Sequence, residues 1–134
     1  MLDPHAALIY TMVIVSAADR NLPDSELQMI GDMIGDLPVF RDFDQKSLPK
    51  VLNGCAMALA RDDGLDKTLD EISAALPPKL HETAYAIACD LIAADGEASQ
   101  EEMRVLNLLR GRLDLDRLIA FAIERGARAR FQRL

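Results

Sequence analysis

The sequence contains two copies of one pattern: an almost wholly apolar stretch, an acidic turn and an amphipathic stretch. The acidic turns occupy residues 17–26 and 93–102, at a constant offset of 76 residues. The apolar stretches that precede them are Ala6–Ala18 and Ala84–Ala94. A helix that is apolar on every side has to be buried. The repeat therefore predicts two buried helices packed together at the centre of a helical fold.

The stretch after each turn has helical periodicity. Apolar residues recur there at spacings of three and four, as on one face of a helix. The matching sets are Leu27, Ile30, Met33 and Leu37 in the first copy, and Met103, Leu106, Leu109 and Leu113 in the second. We expect both sets to face the core.

The second turn carries clear local signals. Asp95-Gly96 is a turn dipeptide, because glycine adopts positive φ at little cost. Ser99 is followed three residues later by Glu102, which is the spacing of a capping box. A new helix is thus predicted to begin at Ser99.

The whole chain, residues 1–134, is predicted to form one all-α domain. Half of the residues are hydrophobic and only 4% are aromatic, and no segment alternates with a period of two as a strand does.

A weaker, third acidic turn lies at Asp63-Gly64. The seven helices are expected at Asp3 or Pro4 to Ala18, Pro23–Asp36, Gln45–Arg61, Leu65–Leu76, Pro77 or Pro78 to Ala94, Ser99–Leu113, and Asp114 or Asp116 to Arg128 or beyond.

Charge is distributed unevenly along the chain. The net charge of −7 is made up of −12 up to Met103 and +5 from Arg104 onward, where all eight cations are arginines. An acidic body argues against general nucleic-acid binding. The arginines can stabilise the carboxyl end of the last helix while they face the protein's own acidic surface. Alternatively, they can bind an anionic partner.

Few residues suggest catalysis. Cys55 and Cys89 lie far apart inside apolar stretches and are interpreted as reduced, buried thiols of a cytoplasmic protein. His5 and His81 are isolated. There is no glycine-rich phosphate loop and no serine or cysteine nucleophile with an evident base. We therefore expect no enzymatic activity.

The acidic turns have two interpretations. Carboxylates at this density are the hard oxygen ligands that Ca²⁺ and Mg²⁺ prefer, although the spacing is not that of an EF-hand. Alternatively, they close turns and stabilise helix starts. Asp90, within the apolar stretch of the fifth helix, is expected to need a partner, either a helix start or an arginine.

The repeated Ala-Ala-Asp turn, followed by glutamates at the start of a helix, resembles the TerB-like family of tellurite-resistance proteins. The second copy, from Ala93 to Glu102, is the closer match, since the first has Arg20 where the second has Gly96. The resemblance implies a bacterial all-helical domain of about seven helices, cytoplasmic or peripheral to the inner membrane. It also implies a role in stress response and, by analogy with a domain fused to a membrane-anchored J-domain co-chaperone, a protein partner. The divalent-cation ligands that it implies are Asp19, Asp24, Glu26, Asp95, Glu101 and Glu102.

Two hypotheses remain open at this point. The chain is either a metal-binding module of the stress-response type or a purely structural interaction domain whose carboxylates only cap helices.

Overall fold

The computed structural model describes residues 2–18, 24–96 and 98–134. Within these ranges the protein has seven α-helices and no strand, which confirms the all-α prediction. The helices are α1 (Pro4–Ser16), α2 (Asp24–Asp36), α3 (Leu48–Leu59), α4 (Gly64–Ala75), α5 (His81–Ala94), α6 (Gln100–Arg112) and α7 (Arg117–Arg130).

Helix α1 forms the centre of the fold. Asp3 caps it by accepting from the backbone N–H of Ala6 at 2.8 Å, and Pro4 occupies its first turn, where the missing N–H has no cost. From Ala6 to Ser16 all residues but Tyr10 are buried. α1 packs against α3, α4, α5 and α6, so its apolar surface is covered by helices on several sides.

Helix α5 is the second central element and packs directly against α1. This contact confirms that the two nearly all-apolar helices lie together. Its residues Tyr85, Ala88 and Leu91 are buried. Asp90 is the polar interruption in this helix, and Nη2 of Arg130 on α7 lies 2.6 Å from its Oδ1.

Two helices begin later than the sequence predicts. Residues Gln45–Ser47 and Pro78–Leu80 form 3₁₀ turns that lead into α3 and α5. Asp44 caps the first of these turns by accepting from the N–H of Lys46. Pro77 is extended, as a residue before proline usually is, so the helix cannot include it.

The last two helices diverge. α6 and α7 each pack against α5, with α7 making the more extensive contact, but they make few contacts with each other. An open groove therefore lies between them, with α5 as its floor. None of the helices in the described parts of the chain is long and apolar enough to cross a membrane.

Candidate cation site at the acidic turns

The turn between α5 and α6 has the geometry that its sequence predicts. Asp95 ends α5, and Gly96 follows with a φ of +87° and its N–H donating to the carbonyl of Ala93 at 3.1 Å. Such a φ strains any residue with a β-carbon. The glycine lets the chain reverse directly after Asp95, which leaves this aspartate exposed at the bend.

The predicted capping box is confirmed. The hydroxyl of Ser99 accepts from the N–H of Glu102 at 3.0 Å, and Oε1 of Glu102 accepts from the N–H of Ser99 at 2.9 Å. This reciprocal pair satisfies two donors that a helix start would otherwise leave without partners. It also fixes the carboxylate of Glu102, which is buried, at the start of α6.

The fold brings the first acidic region to this turn. Glu26, in the first turn of α2, lies beside Asp95 and Glu102. Each of the three carboxylates offers one oxygen, and these oxygens all lie within 4.8 Å of one another. We call this group the acidic triad; it joins residues about 70 positions apart in the chain.

The other predicted ligands are placed differently. Asp24 and Glu101 are exposed, and neither contributes an oxygen to the acidic triad. Asp19 lies outside the described residues. The structure thus brings together three of the six predicted ligands. Glu26 comes from the first copy of the pattern, and Asp95 and Glu102 come from the second.

The electrostatics of the triad favour a cation. At about 4.8 Å, two unit negative charges repel by about 1 kcal/mol in water and by roughly 3 kcal/mol at the effective dielectric constant near a protein surface. A divalent cation between them turns this repulsion into attraction. Two oxygens bound to one Ca²⁺ ion can lie at most about 4.6–5.2 Å apart, so oxygens within 4.8 Å of one another are close enough to share an ion.

A cation of the protein itself lies nearby. The guanidinium of Arg133 lies over Gly96, with Nη2 3.6 Å from the position that a β-carbon on this glycine would occupy. An arginine beside an acidic turn offsets part of its negative potential.

The cysteines and histidines, the other titratable residues considered for catalysis, are buried or lie close to backbone carbonyls. Burial raises the pKa of the Cys55 and Cys89 thiols to about 12, so neither is a ready nucleophile at neutral pH. Nε2 of His5 lies 2.8 Å from the carbonyl of Val39. His81 lies 3.1 Å from two carbonyls, those of Leu76 and Leu113, and so links the ends of α4 and α6 to the start of α5.

The structure departs from the sequence interpretation at the first apolar position of each amphipathic helix. Leu27 and Met103 were expected to face the core, yet they are 38% and 41% exposed. Both lie in the first helical turn, before the stripe of buried apolar residues that begins at Ile30 in α2 and at Val105 in α6. A periodic pattern identifies a face, but it does not indicate how far along that face the covering helix extends.

Comparison with known proteins gives no relative: no protein-family profile, curated protein or solved structure matches the chain.

Proposed function

We propose that this protein is a small, non-catalytic helical module that binds a divalent cation, with Ca²⁺ preferred, at Glu26, Asp95 and Glu102. The observation that carries the proposal is the acidic triad, in which one oxygen from each of three carboxylates lies within 4.8 Å of the others. The oxygens come from the start of α2, the end of α5 and the start of α6. A cation bound there links the start of α2 to the turn between α5 and α6, about 70 residues away in the chain.

Glu102 and Asp95 have distinct roles in this proposal. Glu102 uses Oε1 for the capping box, which leaves its second oxygen for the ion. Asp95 is exposed and supplies the ligand at the entrance. Three carboxylates are fewer than the six to eight oxygens of a Ca²⁺ shell, so water completes the coordination and the affinity is modest.

The proposal extends to cellular role through the TerB-like resemblance. On that basis the module acts in the bacterial cytoplasm or at the periphery of the inner membrane, in response to tellurite or related stress, and works through a protein partner. The competing interpretation is a structural interaction domain without a metal site, in which the carboxylates serve only as helix caps.

A thermal-melt titration separates the two interpretations. After treatment with EDTA, the wild-type Tm should rise with added CaCl₂, because a ligand that binds only the folded state stabilises it by mass action. At ten times the Kd the gain is about 1.4 kcal/mol, or a rise of about 5 °C for a domain of this size. MgCl₂ should give a smaller rise.

Charge-removing variants locate the site. Glu26→Gln, Asp95→Asn and Glu102→Gln should each reduce the rise, while Glu101→Gln and Asp24→Asn, which remove the same charge nearby, should largely retain it. Glutamine at residue 102 still completes a capping box, so this variant tests the ion without removing the cap. A wild-type melt unmoved by millimolar Ca²⁺ and Mg²⁺ would leave the capping role as the function of these carboxylates.

A further inference from the structure

The groove between α6 and α7 is a second feature of the molecule, separate from the acidic triad. It encloses a cavity of about 260 Å³, and its apolar lining includes Cys89, Ile92, Met103, Leu106 and Ala127. We call it the α6–α7 groove. Gly96 and Ala98 also line it. Beyond Ala98 and Met103 it continues into a shallow depression on α6 that reaches Arg104 and Leu108.

The groove offers apolar surface that the fold itself does not cover. Ile92 on the α5 floor, Leu106 on α6 and Ala127 on α7 are well packed, each less than 10% exposed. Met103 stands above this floor and is 41% exposed. Methionine is flexible and polarizable, and it adapts to differently shaped apolar partners. This combination of a preformed floor and an adaptable wall is typical of a site that receives apolar side chains.

Two arginines border the groove. Arg128 on α7 lines the deep part, and Arg104 on α6 lines the shallow extension. Both are exposed, and within the described part of the chain neither forms an ion pair. Other arginines do find carboxylates: Arg61 pairs with Glu71, Arg112 with Asp66 and Asp70, and Arg130 with Asp90. The two rim arginines are thus left to attract an external anion.

Among the residues that the structure describes, Glu124 is the one acidic residue in the lining of the deep part. Its Oε2 accepts from the hydroxyl of Tyr85 at 2.7 Å. This carboxylate is therefore directed toward the α5–α7 contact and already has a donor. The other charged residues that the structure places along the groove, Arg104 and Arg128, are positive.

We propose that the α6–α7 groove binds an acidic amphipathic helix of a partner protein. Apolar side chains at spacings of three and four residues enter the groove over Ile92 and Leu106, and flanking carboxylates meet Arg104 and Arg128. Helix-in-groove recognition combines these two elements, apolar anchors in a hydrophobic groove and charge complementarity along its rims. The proposal does not rest on the cation site.

A second copy of this chain is a poorer occupant. The acidic helices α2 and α4 already bury their apolar faces in the protein's own core, through Ile30 and Ile34 in α2 and through Leu69 and Ile72 in α4. Neither can present a free apolar stripe beside its carboxylates without leaving that core. The partner helix therefore comes from another protein.

The test uses a synthetic probe, because the partner is identified only by its chemistry. A fluorescein-labelled helical peptide of about 16 residues carries leucine at i, i+4 and i+7 with glutamate on both flanks. Fluorescence anisotropy is measured with the full chain in EDTA, so that the result is independent of any cation. The wild type should bind this peptide, and the same peptide with lysine in place of glutamate should bind at least about tenfold more weakly.

Variants at the groove are compared with matched variants elsewhere. Met103→Glu, and Arg104→Glu combined with Arg128→Glu, should each weaken binding by about tenfold or more. Leu118→Glu replaces an apolar residue that is 77% exposed, and Arg117→Glu reverses a charge on the same helix as Arg128; both should leave binding intact. Circular dichroism and melts identify any variant that fails to fold, and chemical-shift mapping on the wild type then locates the peptide.

Several results would overturn the proposal. These are no binding of the glutamate peptide, equal binding of the lysine peptide, or loss of binding in Leu118→Glu but not in Met103→Glu. Octanoate that displaces the peptide and saturates the groove would assign it to a small apolar acid instead. Self-association abolished by Arg104→Glu with Arg128→Glu would assign it to a second copy of the chain.

Discussion

The hydroxyl of Tyr85 donates to Oε2 of Glu124 across 2.7 Å and joins the central helix α5 to the outer helix α7. Tyr85 is 1% exposed, so its hydroxyl needs a partner inside the protein. Burial, and secondarily this hydrogen bond, raises the pKa of Tyr85 well above its usual value. The contact therefore links α7 to α5, and Glu124 also lines the α6–α7 groove.

Removing this hydroxyl should destabilise the protein. Tyr85→Phe should lower the free energy of unfolding by about 1.5–3 kcal/mol, the usual value of a hydrogen bond to a charged group. Urea unfolding, monitored by circular dichroism, measures this loss of unfolding free energy. Tyr10→Phe is the control, since Tyr10 is half-buried and its hydroxyl has no hydrogen-bond partner among the described residues. Equal losses in the two variants would show that the bond to Glu124 contributes nothing specific.

The capping box gives a second prediction. Ser99→Ala should cost about 0.5–2 kcal/mol, because it removes the acceptor for the N–H of Glu102. The urea midpoint should fall with an unchanged slope. Ser73→Ala, within α4, removes only a 3.3 Å contact to the carbonyl of Asp70 and should change stability by less than about 0.5 kcal/mol. A midpoint unchanged in Ser99→Ala would contradict the cap.

The junction of α3 and α4 depends on a residue without a side chain. A β-carbon on Gly64 would lie 2.3 Å from the carbonyl oxygen of Leu59, so Gly64→Ala should cost about 1–3 kcal/mol or more through overpacking. At Gly31, within α2, nothing apart from the adjoining residues and the backbone of the same helix lies within 4 Å of that position. Gly31→Ala should instead stabilise by about 0.5–1 kcal/mol, because alanine favours the helix. Melts of the two variants should therefore shift in opposite directions, and a shared direction would refute this account.

The buried thiols predict a loss of stability in alkali. An unfolded thiol ionises near its ordinary pKa of 9.0, whereas in the folded protein burial raises the pKa of Cys55 and Cys89 to about 12. Between these values the unfolded state binds fewer protons, so the free energy of unfolding falls as pH rises. The slope is at most about 1.4 kcal/mol per pH unit for each thiol.

Urea unfolding in reductant at pH 8, 9 and 10 measures this slope. Cys55→Ala and Cys89→Ala should each reduce it, and the double variant should reduce it further. Below pH 8 the free energy of unfolding should change with pH in the same way in the wild type and in the variants. A double variant with the wild-type slope would assign the alkaline loss to other groups.

Features that depend on neighbouring residues could be predicted from the sequence. The Ser99–Glu102 box spans three residues and has the predicted geometry. The nearly all-apolar stretches before the acidic turns become α1 and α5, which pack together at the centre. Asp90 was expected to need a partner and has Arg130. In each case, local spacing or the composition of one segment shows that a cap, burial or a partner is needed, although it does not identify a distant partner such as Arg130.

The tertiary structure alone decided which surfaces meet. It brought Glu26 to Asp95 and Glu102 while leaving Glu101 and Asp24 exposed, although all five lie in equally acidic stretches. It also left Met103 at the edge of an open groove, because α6 and α7 diverge on α5. Helical periodicity fixes which residues share a face, because every residue turns the helix by the same angle. It carries no information about which helix covers that face or where the cover ends, and those contacts join residues tens of positions apart.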